Sequence, residues 1–220
     1  GPFLNYSLKD FKYIKPKDAL KHPKWNMGKK ISIDSSTLMN KMLELVEAQK
    51  LFNISDTKID IIIHPDSLVH AIVELKNGLT KFIYHETSMI IPIANSIFEK
   101  NLDIADLFVK KTQPNHLAIK NLVFQEVNKK TFPIYNLKKR FNEHPSTPII
   151  INAANEILVD MFLRKIISFG SIIRHLGLVL TDKKYKKYAI KKPKNINQIN
   201  FIDLWARTIT LKKIEKIKNA

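Results

Sequence analysis

The spacing of apolar and polar positions in the first half of the chain predicts helices next to short strands. Residues 29–33 form a short apolar run that predicts a strand. The polar cluster at 34–37 is typical of a helix N-cap, so a helix is expected over 38–51. Another helix is expected over 88–100, beginning close to its proline.

Between these helices the pattern favours antiparallel strands. Asn77 and Gly78 form a dipeptide that readily takes positive φ, which is typical of a hairpin turn. A helix long enough for a parallel crossover does not fit between the strands that flank this turn. We therefore predict strands rich in β-formers over 59–64, 68–75 and 79–85.

Helical spacing dominates the second half of the chain. Residues 101–125 have weak periodicity and contain a proline, which predicts a connection. Helices are expected over 133–140, 148–164, 168–180 and 200–218. In the last helix, side chains spaced by three and four residues predict a face that packs against neighbours, namely Phe201, Leu204, Trp205, Thr208 and Leu211.

Together these patterns predict an α/β (α+β) catalytic domain with a small, mainly antiparallel sheet, followed by a C-terminal all-α helical bundle. We expect the first domain over 1–100, the connection over 101–125 and the helical domain over 126–220.

Composition narrows the possible functions. The 220 residues include no cysteine, which excludes disulfides and thiolate metal sites. The 5 glycines are too widely separated for a phosphate-cradling loop, so a self-contained dinucleotide-binding domain is excluded. Apolar runs are too short to span a bilayer, and we expect a cytoplasmic protein without a membrane segment.

The formal net charge of +17 raises the alternative of a basic nucleic-acid-binding module. More than half of this excess lies in residues 181–220, which carry 12 basic and 3 acidic side chains. The pattern favours a solvated, lysine-rich loop before the last helix, and specific nucleic-acid binding is not expected. The sequence also lacks the glycine-aromatic pattern of RNA-binding sheets and zinc-finger spacing.

Residues 34–44 carry the densest candidate chemistry. If Ser35 begins a helix, its hydroxyl, the Asn40 amide and the Lys41 ammonium are donors suited to a phosphate dianion. Glu44 shares their helix face and is a candidate ligand for a divalent cation. The alternative is a plain N-cap at Ser35, a surface ion pair between Lys41 and Glu44, and a surface position for Asn40. Spacing alone favours this alternative, because such patterns are common on helices.

The segment 22–44 resembles the signature of the 1-deoxy-D-xylulose 5-phosphate reductoisomerase family. The resemblance continues in the same order along nearly the whole chain. It includes IHPDSLVH at 63–70, MIIPIA at 89–94, INAANE at 151–156 and WAR at 205–207.

The resemblance implies a metal-dependent rearrangement of 1-deoxy-D-xylulose 5-phosphate, followed by reduction with NADPH to 2-C-methyl-D-erythritol 4-phosphate. It implies a homodimer built by the sheet edge, and it assigns Mg²⁺ or Mn²⁺ to Glu44 and a close approach of NADPH to Gly28. The implied catalytic residues are His22, Lys41 and Glu44, and the implied substrate contacts also include Ser35, Asn40, Trp25 and Met27 of a flap, Ser67, His70 and Met89.

Other parts of the family pattern have no counterpart here. The family places an NADPH-binding domain, two further metal carboxylates and a phosphate-binding serine before the stretch that Gly1-Pro2-Phe3 matches. One carboxylate binds Mg²⁺ weakly, so we expect this chain alone to be inactive. A non-catalytic scaffold that retains the fold is a further alternative.

Two further polar pairs are not expected to bind a metal or to act in catalysis, although one of the two histidines is expected to line the site while the other packs. Six residues of extended strand separate His64 from His70 by roughly 20 Å, so one metal ion cannot bridge them without a turn. Asn152 and Asn155 lie on an otherwise apolar helix, where we expect buried amides that satisfy loop backbone rather than catalysis.

Overall fold

Helices dominate the computed structural model of the chain, which describes residues 1–6, 9–25, 27–98 and 122–218. None of the described helices is long and apolar enough to cross a membrane. The α-helices are α1 (Pro16–Ala19), α2 (Lys29–Thr37), α3 (Met39–Phe52), α4 (Ile90–Ile97), α5 (Thr147–Leu163), α6 (Phe169–Leu180), α7 (Tyr185–Ala189) and α8 (Ile196–Lys218). The strands are β1 (Ile62–Ile63), β2 (Val69–Glu74), β3 (Thr80–Tyr84) and β4 (Gln125–Glu126), and 3₁₀-helices cover Phe11–Tyr13, Asp56–Lys58 and Pro133–Arg140.

The chain divides into two compact units. One contains residues 1–23, 27–61 and 127–220, and the other contains residues 24–26 and 62–126. This division differs from the expected domains because the N-terminal helices join the C-terminal bundle. The expected connection over 101–125 lies outside the described residues except for its last four.

The helical unit is built around α5. This helix packs against α6, α8 and α2, and α6 also packs against α8. Pro148 stands in the first turn of α5, where its missing N–H costs no hydrogen bond. The fully buried side chains that form the core include Phe3, Ile33, Met39, Met42, Phe141, Ile150, Leu158, Phe162, Ile172 and Leu176.

The strand predicted over 29–33 is wrong, because those residues begin α2. Ser32, Ser36 and Thr37 each donate their hydroxyl to the carbonyl four residues earlier, at 2.9, 2.8 and 3.2 Å. These bonds satisfy the hydroxyls inside a helix, so the polar cluster forms the end of α2. Of the three hydroxyls, only that of Thr37 also bonds to the next helix, because its oxygen accepts the N–H of Met39 at 3.3 Å. Leu38, with φ of 67°, separates α2 from α3. The helix predicted after it is confirmed as α3.

The smaller unit contains the predicted antiparallel strands. β2 pairs with β3, and β1 pairs with β4, both antiparallel. Gly78 has φ of 86° in the turn between β2 and β3, as the Asn-Gly pair predicted. The strand predicted over 59–64 shortens to β1. The helix predicted over 88–100 is present as α4, and its last two residues lie outside the described part.

The C-terminal helices are confirmed, although the packing face predicted for the last one is wrong. Phe201, Leu204 and Leu211 remain 55%, 64% and 36% exposed. The buried side of α8 instead carries Ile202, Ala206, Thr210 and Ile214. Apolar side chains occur on both faces of α8, so the sequence pattern does not distinguish them. The face with smaller residues is buried, because small side chains let α8 approach α5 more closely. The lysine-rich segment before α8 also forms the unpredicted helix α7.

Candidate functional site

The junction between α2 and α3 brings together several of the predicted phosphate-binding groups. Ser35 lies in the last turn of α2 rather than at a helix start, so that part of the prediction is wrong. Its carbonyl accepts a hydrogen bond from the N–H of Leu38 at 3.3 Å, and its side chain is half-buried. Asn40 and Lys41 occupy the first turn of α3, where backbone N–H groups have no partner earlier in the helix.

Glu44 is held by two neighbours on the same face of α3. The Asn40 amide donates to Oε1 and the Lys41 ammonium to Oε2, both at 2.5 Å. The Lys41 and Glu44 side chains are 46% and 44% exposed. The carboxylate therefore has a fixed orientation and remains accessible, as expected for a group that binds a ligand or ion.

His22 and Gly1 lie in the same unit and complete this cluster. Burial is the main cause that lowers the pKa of His22 to about 4. A Cβ atom at Gly1 would lie 2.6 Å from the Ser35 carbonyl oxygen, so the backbone of Gly1 packs directly on the end of α2.

The burial of His22 shows that this part of the unit is partly desolvated. Lys41 places a positive charge at the start of α3. An anion at the junction of α2 and α3 would accept hydrogen bonds from Ser35, Asn40 and Lys41. We call His22, Ser35, Asn40, Lys41 and Glu44 the anion cluster.

Met27 and Gly28 lead into α2 within the same unit. Met27 is half-buried, and Gly28 is the N-cap residue of α2 with φ of −61° and ψ of 159°. No heavy atom lies within 4 Å of the place where a Cβ of Gly28 would stand. Neither the backbone angles nor the described neighbours require glycine here. The space beside Gly28 is open, which would allow a cofactor to approach its backbone.

The remaining predicted substrate contacts lie in the smaller unit. The rings of His70 and His85 stack in parallel at 3.7 Å, and Trp25 meets His70 edge to face at 6.0 Å. Ser67 has φ of 55° in the turn before β2, and Met89 is exposed beside α4. His70 therefore packs among rings, while His64 contacts the carbonyl of Val123 at 2.9 Å.

The metal and nicotinamide sites that the resemblance implies need more groups than the junction of α2 and α3 supplies. The described residues contain no cluster of three or more histidine, cysteine, aspartate or glutamate side chains that could hold a metal ion. Glu44 fits the role of one oxygen ligand, but Mg²⁺ requires a near-octahedral oxygen set. Glu44 alone therefore does not complete a metal site.

A buried polar pair that spacing did not predict connects α2 to the helical bundle. Asn155 donates to the Asp34 carboxylate at 2.8 Å, and Lys30 pairs with the other oxygen at 2.7 Å. The expectation that Asn155 satisfies loop backbone is therefore wrong. Burial raises the pKa of Asp34, partly opposed by its hydrogen bonds to Lys30 and Asn155. The signal in the sequence was that both residues lie in family motifs.

A second link joins two of those motifs. Arg207 donates to Glu156 and to Asp203, each at 2.5 Å, and so ties α8 to α5. Asn152 lies one turn earlier on α5 and donates to Glu156 at 3.4 Å. These contacts give the INAANE and WAR motifs a structural role in holding the helices that support α2.

Comparison with known proteins agrees with the motifs. The family model described as the 1-deoxy-D-xylulose 5-phosphate reductoisomerase C-terminal domain matches residues 1–52. A second, described as the DXP reductoisomerase C-terminal domain, matches residues 85–209.

Relatives named 1-deoxy-D-xylulose 5-phosphate reductoisomerase occur in several bacteria. The protein of Pelagibacter ubique (strain HTCC1062) is 41% identical over 203 residues, covering 90% of this chain and 50% of the relative. That of Wolbachia sp. subsp. Brugia malayi (strain TRS) is 39% identical and covers 100% of this chain and 54% of the relative. The chain thus spans about half the length of the curated relatives it matches.

Solved structures give the same result. A DOX-P reductoisomerase in complex with NADPH, fosmidomycin and magnesium has a TM-score of 0.86 and 30% identity, covering 99% of this chain and 54% of that one. The reductoisomerase from Zymomonas mobilis in complex with NADPH has a TM-score of 0.83 and 30% identity, covering 98% and 53%. Nothing in these comparisons favours the nucleic-acid-binding alternative.

Proposed function

This chain belongs to the 1-deoxy-D-xylulose 5-phosphate reductoisomerase family, and we propose that it supplies the phosphate-binding part of such an enzyme's active site. The complete enzyme would rearrange 1-deoxy-D-xylulose 5-phosphate and reduce the product with NADPH. The observation that carries the proposal is the placement of Asn40 and Lys41 in the first turn of α3, directly after the turn of α2 that holds Ser35.

The donor groups of the anion cluster would bind the substrate's phosphate, and its carboxylate, Glu44, would face a cation instead. Lys41 supplies the compensating charge, while Ser35 and Asn40 supply directional hydrogen bonds. His22 is neutral at pH 7, and the bound dianion would favour its protonated form. This arrangement fixes one end of the substrate, which leaves its reacting carbons near the exposed carboxylate of Glu44.

Glu44 would contribute one ligand to a divalent cation, as the relative crystallised with magnesium suggests. A bound Mg²⁺ or Mn²⁺ would act as a Lewis acid on the substrate oxygens. The contribution of this chain is to orient the Glu44 carboxylate through Asn40 and Lys41. Gly28 would leave room for the nicotinamide cofactor, and Trp25 and Met27 would belong to a flap that excludes water.

Titration of His22 tests the phosphate site directly. We expect inorganic phosphate to raise the pKa of His22 from about 4 by at least about one unit, because a nearby anion stabilises the imidazolium. Imidazole NMR signals followed between pH 3 and 8 measure this shift, with His22→Gln used to assign the resonance. The same titration with 1-deoxy-D-xylulose 5-phosphate should give a larger shift at lower concentration.

The other histidines are internal controls for this titration. His175 is buried in α6, where its ring contacts the Ser171 carbonyl at 2.7 Å, and its resonance should not respond. Lys41→Gln should weaken the response of His22. An unchanged pKa of His22 at saturating phosphate, or an equal shift at His175, would contradict a phosphate site here.

The hairpin of β2 and β3 would form a homodimer. Every residue of β3 is exposed, including Phe82, Ile83 and Tyr84. Among the described residues β2 and β3 pair only with each other, so each has an unpaired edge that offers backbone hydrogen bonds to another strand. A second copy of the same hairpin would cover both the apolar side chains and an edge.

Phe82→Asp should weaken this dimer. We expect the dimer dissociation constant to rise at least about tenfold, because a charge would replace a large aromatic side chain at the contact. Sedimentation equilibrium measures the change. Leu79→Asp is the matched control, since it adds the same charge at an exposed leucine in the turn. A monomeric parent chain, or equal effects of both substitutions, would contradict the proposed interface.

A further inference from the structure

A cleft between α7 and α8 lies in the helical unit, on residues to which the proposed reaction gives no role. Its volume is about 330 Å³, which is within the range of small-molecule sites. The cleft is lined by Asp182, Lys183, Lys184, Tyr188, Trp205, Thr208, Ile209 and Lys212. Three of these side chains are lysines, so the chemistry of the cleft depends on whether their charge is neutralised.

Asp182 attracts Lys184 but forms an ion pair with none of these lysines. Its carboxylate pairs with Lys213 at 2.9 Å and accepts a hydrogen bond from the backbone N–H of Lys184, also at 2.9 Å. Burial alone would raise the pKa of Asp182, but these two donors hold it below its ordinary value, so the group is charged and engaged. No ion pair of the described residues involves Lys183, Lys184 or Lys212.

The bond from Lys184 to Asp182 also fixes the position of the lysines. It closes a turn at the end of α6, and the Lys213 pair ties that turn to α8. Lys183 and Lys184 therefore start from an anchored backbone on one wall, while Lys212 extends from the helix opposite. Positive charge reaches the cleft from both sides.

Aromatic rings form the rest of the wall. Tyr188 and Trp205 stack in parallel at 4.2 Å with an interplanar angle of 9°. Both side chains are half-buried, so the pair is rigid and still presents surface to the cleft. A flat ligand ring attached to an anion would find both stacking surface and lysines here.

We propose that this cleft binds the polyphosphate group of a small ligand. Three lysines that form no ion pair among the described residues match an anion with three or more negative charges, whereas one phosphate dianion would leave positive charge unmatched. Lysine ammonium groups bind phosphate as flexible point charges and need no fixed fork geometry. The polyphosphate can come from an inorganic chain or from a nucleoside triphosphate, and the aromatic wall favours the second.

Fluorescence of Trp205 reports on the cleft. Trp25→Phe leaves Trp205 as the remaining one of the chain's 2 tryptophans. In this variant we expect inorganic tripolyphosphate to change the fluorescence with a dissociation constant below about 1 mM at about 0.15 M salt. ATP should bind at least as tightly, whereas adenosine alone should not bind. If tripolyphosphate produces no saturable change up to about 10 mM, the proposal is wrong.

Paired lysine substitutions distinguish a specific binding site in the cleft from general attraction of the anion by positive charge. Lys183→Gln with Lys184→Gln removes two charges from the cleft, and we expect the tripolyphosphate affinity to fall about tenfold. Lys186→Gln with Lys187→Gln removes the same charge from the same segment, at residues that do not line the cleft, and should change affinity less than about twofold. Equal losses in the two variants would overturn the proposal.

Discussion

Replacing Glu44 by glutamine in a complete enzyme that contains this chain is expected to lower kcat by at least about a hundredfold, with little effect on stability. The substitution removes the negative charge that would bind the divalent cation and keeps the size of the side chain. The Lys41 and Glu44 pair is nearly half exposed, so its loss should cost no more than about 1 kcal/mol of unfolding free energy.

Steady-state oxidation of NADPH at several Mn²⁺ concentrations measures this effect, and thermal unfolding measures stability. Electron paramagnetic resonance of Mn²⁺ gives a readout besides activity, since the variant should bind the ion more weakly. Glu47→Gln is the matched control, because Glu47 is an exposed carboxylate on the same helix. The 220-residue chain alone should show no turnover. Turnover of Glu44→Gln within about threefold of the parent would exclude a metal-binding role for Glu44.

The anion cluster was predictable from sequence because its members are close along the chain. Asn40, Lys41 and Glu44 share a helix face through three- and four-residue spacing, and the structure brings them together. The start of that helix was harder to place. Ser35 follows an apolar run whose pattern predicts a strand. In the structure, the hydroxyls of Ser32 and Ser36 donate to carbonyls four residues earlier, which is the pattern of a helix that began before Ser35.

The hairpin was predictable for a similar reason, since Asn77 and Gly78 determine a turn locally. The buried face of α8 was not, because apolar side chains lie on two sides of that helix. Packing selected Ala206 and Thr210, and this choice depends on the surface of α5 rather than on the pattern in α8. Long-range choices of this kind leave no periodic signal in one sequence.

The same limit applies to Asp34 and Asn155, which are separated by 121 positions. Taken separately, neither residue differs in the sequence from other polar residues at or near helices, so nothing marks them as partners. Together they join the helix that carries Ser35 to the central helix of the bundle, so the stability of the bundle and the position of the anion cluster are linked. That link gives the second large effect that we expect.

Asn155→Leu should destabilise the chain by about 2 kcal/mol at pH 7, because the buried Asp34 carboxylate loses a donor. The loss should depend on pH. Burial already raises the pKa of Asp34 above its ordinary value, and the Asn155 hydrogen bond opposes that rise. Without the amide, the pKa of Asp34 in the folded state should rise further.

The direction of the pH dependence of stability follows from the raised pKa of Asp34 in the folded state. The unfolded chain releases the Asp34 proton at lower pH than the folded chain, so ionisation of this group favours unfolding. The contribution of Asp34 to stability is therefore greatest below its ordinary pKa and falls as pH rises through the raised value. In Asn155→Leu this fall should be larger and should extend to higher pH than in the parent.

Urea unfolding between pH 4 and 8 measures the difference in unfolding free energy between parent and variant at each pH. The contribution of His22 cancels in this difference because both proteins contain it. Asn152→Leu is the matched control, because it changes the same residue type on the same helix and its amide donates to Glu156 instead of Asp34. Adding Asp34→Asn to Asn155→Leu should restore most of the lost stability at pH 7, since no buried charge then remains at this position. If Asn155→Leu costs less than about 0.5 kcal/mol, or if its cost is the same at every pH, the Asp34 carboxylate does not depend on Asn155.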